Sequence, residues 1–153
     1  MNIDQLRQEI AEDEGVKYEI YLDHLGLPTF GIGHLVRDDD PERGEPVGTP
    51  VSEDRVNECF DTDVEIVLSD CETLYPNYYE LPEEVQLIIA NMMFNMGRPR
   101  LSQFKGMKRG VDNGDWESAA DEMVDSKWYY QVTNRAERLV ERMRAVTISE
   151  IPV

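Results

Sequence analysis

Cysteine is scarce in this chain, which has only Cys59 and Cys71. They stand twelve positions apart in one expected helix, which separates them by about 18 Å along its axis and rules out a bridge between them. A reduced, cytosolic origin is the expectation. Histidine is equally rare, and no Cys/His pair has ligand spacing, which argues against a zinc amidase. The glycines near residues 31–33 have no Lys-Ser/Thr behind them, so there is no phosphate loop. No apolar run approaches the roughly eighteen residues of a spanning helix, and Met1-Asn2-Ile3-Asp4 does not open a basic-then-apolar leader. Neither membrane insertion nor an export signal is expected.

Basic residues are also in short supply: 15 Lys and Arg face 32 Asp and Glu, for a net charge of -17. The imbalance is local. Residues 1–90 hold 5 basic against 23 acidic side chains, and residues 91–153 hold 10 against 9. Nucleic acid is a poor partner for such a surface, because binding it rests on neutralising phosphates with Lys and Arg. Anionic polymers are disfavoured too unless salt screens the charges. A saline working medium and a surface that only aids solubility both stay open. At 153 residues the chain suits one domain.

What is present predicts an α+β, mainly α fold. Ile3, Leu6 and Ile10 recur at helical spacing behind Asn2, a good N-cap, and Gly15 stops the pattern after Glu14. Residues 18–34 suit a small antiparallel sheet that breaks at Gly26-Leu27-Pro28, with Asp23 near the turn. Residues 37–51, with three prolines and two glycines, read as a mobile loop. Ser52 caps a long helix whose Val56, Phe60, Val64, Val67, Cys71 and Leu74 share one face. From Pro82 to Gly97 the chain is apolar nearly all round, as a buried axis would be. Shorter helices are expected at 102–109, stopped by Gly110, at 115–125, and at 134–146, opened by Asn134 and Glu137 as a capping-box-like pair. Thr147 to Val153 shows no periodicity and reads as a loosely held tail.

Two carboxylates and a hydroxyl flank the first helix end and the hairpin: Glu14, Asp23 and Thr29. Singly, Glu14 is an exposed helix-end acid and Asp23 an ordinary turn residue. Together they are the equipment of a glycosidase. In glycoside hydrolysis one carboxyl keeps a proton for the leaving oxygen while a second stays ionised to activate water or attack the sugar. The partial negative charge of a helix C-terminus disfavours ionisation of Glu14, a small push towards the acid role.

The segments Glu14-Gly15, Tyr21-Leu22-Asp23 and Thr29-Phe30-Gly31-Ile32-Gly33-His34 resemble the active-site segment of the phage-type lysozymes, glycoside hydrolase family 24. Asn91-Met92-Met93-Phe94-Asn95-Met96-Gly97 resembles that family's central buried helix, and Ser126-Lys127-Trp128-Tyr129 with Asn134-Arg135-Ala136 its C-terminal motif. The likeness runs in order from about residue 2 to about residue 146. It implies one two-lobed lysozyme-like domain over 1–153. A sheet-bearing lobe would cover about 13–60, a connecting helix about 53–74, and a helical lobe about 75–146 together with helix 2–14.

The resemblance further implies an inverting muramidase, with Glu14 as acid and with Asp23 and Thr29 holding the attacking water. Leu35 and Phe94 would line the sugar cleft, and Asn95 would hydrogen-bond N-acetyl groups. Gly31 and Gly33 would let sugar rings approach the backbone. Arg135 would approach Glu14, with a surface ion pair as the bland alternative, and His34 would be structural, paired with an acid such as Asp63. No metal or organic cofactor is needed. The implied partner is bacterial peptidoglycan, reached by a monomeric phage endolysin made in the host cytoplasm and released to the periplasmic wall through a separate holin-type pore. Arg98, Arg100, Lys105, Lys108 and Arg109 form the one basic cluster that could attract that wall. The chain departs from the family in lacking a short helix within 37–51, and in placing Met107 and Glu122 where polar cleft residues are expected. A chitin-type glycan is the other enzyme substrate to consider, and a wall-binding or baseplate module with reduced or no activity is the non-enzyme alternative.

Overall fold

The helical and strand patterns of the sequence recur in the computed structural model, which describes residues 1–149. Along the chain come α1 (Ile3–Glu14), β1 (Lys17–Leu22), β2 (Pro28–Gly31), β3 (His34–Leu35), α2 (Glu53–Leu74) and a 3-10 turn (Tyr78–Glu80). There follow α3 (Glu83–Met96), α4 (Arg98–Leu101), α5 (Lys105–Asp112), α6 (Trp116–Val124), α7 (Lys127–Gln131) and α8 (Thr133–Ser149). The fold is α+β and mainly α. Two compact units divide the chain: Arg7–Ile66, and Met1–Leu6 with the chain from Val67 onward. Their boundaries fall inside α1 and α2.

In the sheet unit the strands run antiparallel in the order β1-β2-β3. Tyr21 faces Thr29, Thr29 faces Leu35, and Phe30 faces His34. Directly opposed residues project to the same side of a sheet, so Tyr21, Thr29 and Leu35 form one row and Phe30 and His34 lie on the other face. The core behind that second face is Ile20, Phe30, Val51, Val56 and Cys59. Asn2 and Ser52 cap as expected: Gln5 N–H donates to Asn2 Oδ1 at 3.0 Å, and Arg55 N–H to Ser52 Oγ at 3.1 Å.

Loop 37–51 has no helix, but it is tied down. Ile20 and Thr49 are joined by the Ile20 N–H at 3.0 Å, Gly48 N–H donates to Ile20 O at 2.8 Å, and Val51 N–H to Tyr18 O at 2.9 Å. These bonds lay residues 48–51 along β1. The ties to β1 are tertiary and leave no local trace in the sequence.

In the helical unit α3 is the buried axis, with Val85 through Met93 all inside. It packs on α8, and α6 packs on both α5 and α8. The expectation that Gly110 stops a helix fails. The residue lies inside α5, where a Cβ would come within 2.7 Å of the Ala119 backbone nitrogen, so its bareness serves the close approach of α6. Asn134 is not a cap either: α8 starts at Thr133, and Ala136 N–H donates to Val132 O at 2.8 Å. Part of the expected tail is helical, since α8 continues to Ser149; residues 150–153 lie outside the described residues.

Candidate active site

Glu14 is the last residue of α1, where Gly15 N–H donates to Ala11 O at 2.8 Å and Gly15 leaves the helix at a φ of 72°. A left-handed glycine just past the last helical residue is a common way to close a helix. The Glu14 side chain is half-buried and lies against Gly33: a Cβ on Gly33 would sit 2.6 Å from Oε1. Gly33 therefore has two reasons to be glycine, a φ of 61° and the carboxylate above it. Gly31 is likewise covered by Val56, 3.1 Å from a Cβ placed there. The close approach expected from sugar rings is made at these two glycines by the protein's own side chains.

Asp23 follows β1 and builds the hairpin turn. Its Oδ1 accepts the N–H groups of Leu25 at 2.8 Å and Leu27 at 2.9 Å, while its own N–H donates to Leu27 O at 3.0 Å. This is the Asx turn that Asp favours, and it leaves Oδ2 outside these bonds. Thr29 is buried, with its hydroxyl donating to Leu27 O at 3.0 Å, so the oxygen keeps its lone pairs as acceptors. Tyr21, the cross-strand neighbour of Thr29, reports on both acids: burial first, then the charges of Glu14 and Asp23, raise its phenol pKa. Tyr21 belongs to the Tyr21-Leu22-Asp23 segment that carries the family likeness, though that segment alone gives it no role of its own. Its position two residues before Asp23 on an alternating strand was the available signal.

His34 is clamped between two carboxylates, with Nδ1 2.6 Å from Asp63 and Nε2 2.8 Å from Asp40. Both contacts can be hydrogen bonds with ionised partners only if both ring nitrogens carry protons. Burial opposes the charged ring, but the hydrogen bonds and charges of Asp63 and Asp40 prevail and raise its pKa. Burial also works to raise Asp40, yet Arg37 N–H, His34 and Arg55 together hold its pKa below the usual value. Arg37 reaches Asp63 at 2.8 Å, and Arg55 grips Glu42 with two bonds of 2.9 Å. The pairing of His34 with Asp63 matches the expectation; Asp40 is an additional partner. Leu35, opposite Thr29, is exposed.

The other expected residues belong to the helical unit. Phe94 and Asn95 are half-buried, and Asn95 Oδ1 accepts Trp128 Nε1–H at 2.7 Å, which fixes the amide and orients its own N–H groups. Arg135 is buried, so a surface ion pair is not its role. Its Nε donates to Asn91 Oδ1 at 2.8 Å and its Nη2 to Asn91 O at 3.3 Å. Met107 and Glu122 line a pocket of about 300 Å³ with Phe104 and Trp128, and Arg100 and Lys105 also border it. Among the described residues no group of His, Cys, Asp and Glu is placed to hold a metal ion, and no helix is long and apolar enough to cross a membrane.

A mainly helical α+β chain carrying a helix-end glutamate and a turn aspartate beside a small sheet is a glycoside hydrolase of the lysozyme class. The family model described as phage lysozyme matches residues 11–145, and the chain belongs to that family. It is 28% identical to the probable T4-type lysozyme 1 of Dictyostelium discoideum, over 96% of this chain and 98% of that protein. It is 26% identical to the pre-baseplate central spike protein Gp5 of Enterobacteria phage T4, over 88% of this chain but 26% of the spike protein. Identity to the peptidoglycan hydrolase gp36 of Pseudomonas phage phiKMV is 28%, over 90% of this chain and 15% of that protein.

Proposed function

We propose that the protein is an endo-acting muramidase that cleaves the β-1,4 bond between N-acetylmuramic acid and N-acetylglucosamine in bacterial peptidoglycan. Glu14 gives its proton to the glycosidic oxygen. Water attacks the anomeric carbon from the opposite side and passes a proton to Asp23, with Oδ2 as the available acceptor and the Thr29 oxygen accepting the second water hydrogen. The anomeric centre inverts, which calls for carboxyl groups about 6.5–9.5 Å apart. The observation that carries this reading is the trio's placing in one unit: half-buried Glu14 over Gly33, Asp23 held by the Leu25 and Leu27 N–H groups with Oδ2 outside those bonds, and buried Thr29 donating to the same Leu27.

The biological setting that fits is a monomeric phage endolysin, made in the host cytoplasm and reaching the wall through a separate holin-type pore. The match to about a quarter of a phage spike protein favours one other reading, a virion-associated module that binds wall with reduced or no turnover. Turbidity loss of outer-membrane-permeabilised Gram-negative cells separates the two when the parent is compared with Glu14→Gln. Gln keeps the shape and cannot donate the acid proton, so lysis by the variant should fall by about 10²–10⁴-fold, the usual worth of general acid catalysis. No lysis by folded parent protein would leave the wall-binding reading in its place.

A further inference from the structure

The sheet unit, Arg7–Ile66, carries five basic side chains, and four of them are committed to carboxylates. Arg7 meets Asp61 at 2.6 Å, Arg37 meets Asp63 at 2.8 Å, Arg43 meets Asp38, and Arg55 takes Asp40 at 3.2 Å and Glu42 at 2.9 Å. Lys17, the first residue of β1, is the fifth. Among the described residues it alone of the five is bonded to no carboxylate. Its exposed side chain instead sets Nζ 4.3 Å from the centre of the Tyr21 ring.

An aromatic face attracts an ammonium without neutralising it. The Tyr21 phenol is no counter-charge either: burial first, then the charges of Glu14 and Asp23, raise its pKa, so it keeps its proton at neutral pH. Lys17 therefore presents a whole positive charge to solvent, and the ring beneath it fixes where. Tyr21 pairs with Thr29 across the sheet, so the uncompensated cation stands one side chain away from the hydroxyl assigned to the attacking water. The rest of the unit, with seventeen acidic side chains, repels an anionic strand. Peptidoglycan is such a strand, since each muramic acid carries a lactyl carboxyl group that is bare or extended by a stem peptide with carboxyls of its own. The charge that such a polymer would seek on this unit is the one that no internal acid has taken.

We propose that Lys17, seated on the Tyr21 ring, binds a carboxylate of the wall strand and so selects peptidoglycan over an uncharged glycan. Its role is specificity: it holds a substituent of the sugar, and no proton passes through it. The inference rests on the muramidase reading and adds to it the group that recognises the charge of the substrate.

The test compares the parent, Lys17→Met and Lys17→Arg on soluble peptidoglycan strands, native and with their carboxyls converted to amides by ammonia and a carbodiimide. On native strands Lys17→Met should raise KM by about five-fold, the upper reach of one exposed ion pair, while Lys17→Arg stays within about two-fold of the parent. On amidated strands the parent and Lys17→Met should share one KM. Salt of about 1 M should shrink the difference seen on native strands. Strands freed of their stem peptides by an amidase keep only the lactyl carboxyl and so locate the anion. An effect of Lys17→Met that survives there assigns the lactyl group, and one that disappears assigns the peptide. Equal rises in KM on native and amidated strands would make Lys17 a prop for Tyr21 and overturn the proposal, as would an unchanged KM on native strands; either leaves the muramidase intact. A folded parent that hydrolyses no native strand would remove the reading beneath it, and the role of Lys17 with it.

Discussion

Gly33→Ala separates the two reasons this position is glycine. Alanine at a φ of 61° costs about 1–2 kcal/mol of folding stability from its backbone alone. The new methyl would also stand 2.6 Å from Glu14 Oε1, and ordinary contact begins near 3.4 Å, so the carboxylate must retreat by about 0.8 Å. A misplacement on the order of 1 Å at a reacting group costs about 10²-fold in rate. Gly114→Ala is the control: its φ is 67°, but the nearest atom to a Cβ there, on Trp116, is 4.0 Å away. Urea unfolding should show similar losses for the two variants, while specific lytic activity falls only in Gly33→Ala. Parent-like activity in Gly33→Ala, or an equal fall in Gly114→Ala, would refute the placement of Glu14 as the acid over Gly33.

The His34 clamp should make stability depend on pH. Its folded pKa is raised, so its contribution is fully present below the unfolded value near 6.5 and is lost as pH rises through the folded value. Asp40 is lowered, so its contribution is present above the ordinary carboxylate range and is lost as pH falls through its folded value. Urea midpoints should therefore decline from pH 6 to pH 9. His34→Asn should lose about 3–5 kcal/mol at pH 6 by stranding buried carboxylate charge, and should flatten that decline; a variant that kept the slope would place its cause elsewhere. The two helical glycines of α5 should behave oppositely. Gly110→Ala drives a methyl into the Ala119 backbone and should cost about 1–3 kcal/mol in thermal unfolding. Gly106→Ala meets only the flexible end of Glu122, and the helix preference for Ala of about 1 kcal/mol should leave it neutral or better.

The parts of this fold that the sequence discloses are those whose signal lies within one element. The apolar run of α3, the face of α2 and the break at Gly26-Leu27-Pro28 are of that kind, and each recurs in the structure. Gly110 misleads because a helix-interior glycine and a helix stop look alike locally; the difference is Ala119, nine residues further on. The short helices α4 and α7, four and five residues long, span too little chain to display a period. At the site, Glu14, Asp23 and Thr29 stand out by residue type and by motif. Their supports do not: the carboxylate over Gly33, the Tyr21 paired across the sheet with Thr29 and the second clamp from Asp40 are all contacts across the sheet unit.

The tied loop also bears on how so acidic a unit folds. Residues 7–66 contain five basic side chains against seventeen acidic ones, a surplus that should repel itself. Two of the five cations do not serve to dilute that surface. Arg37 and Arg55, with His34, hold Asp63, Asp40 and Glu42, whose side chains are only 11%, 13% and 14% exposed. Charge is most costly where water is excluded, and two of the five basic side chains serve that cluster. Glu45, Glu53 and Asp54 are exposed, where water and salt screen their charges at little cost. Composition alone left a saline habitat and a solubilising surface equally open, because it could not separate these two populations. The exposed surplus bears on encounters with other anionic surfaces, whereas the fold depends on the three buried carboxylates of the His34 cluster.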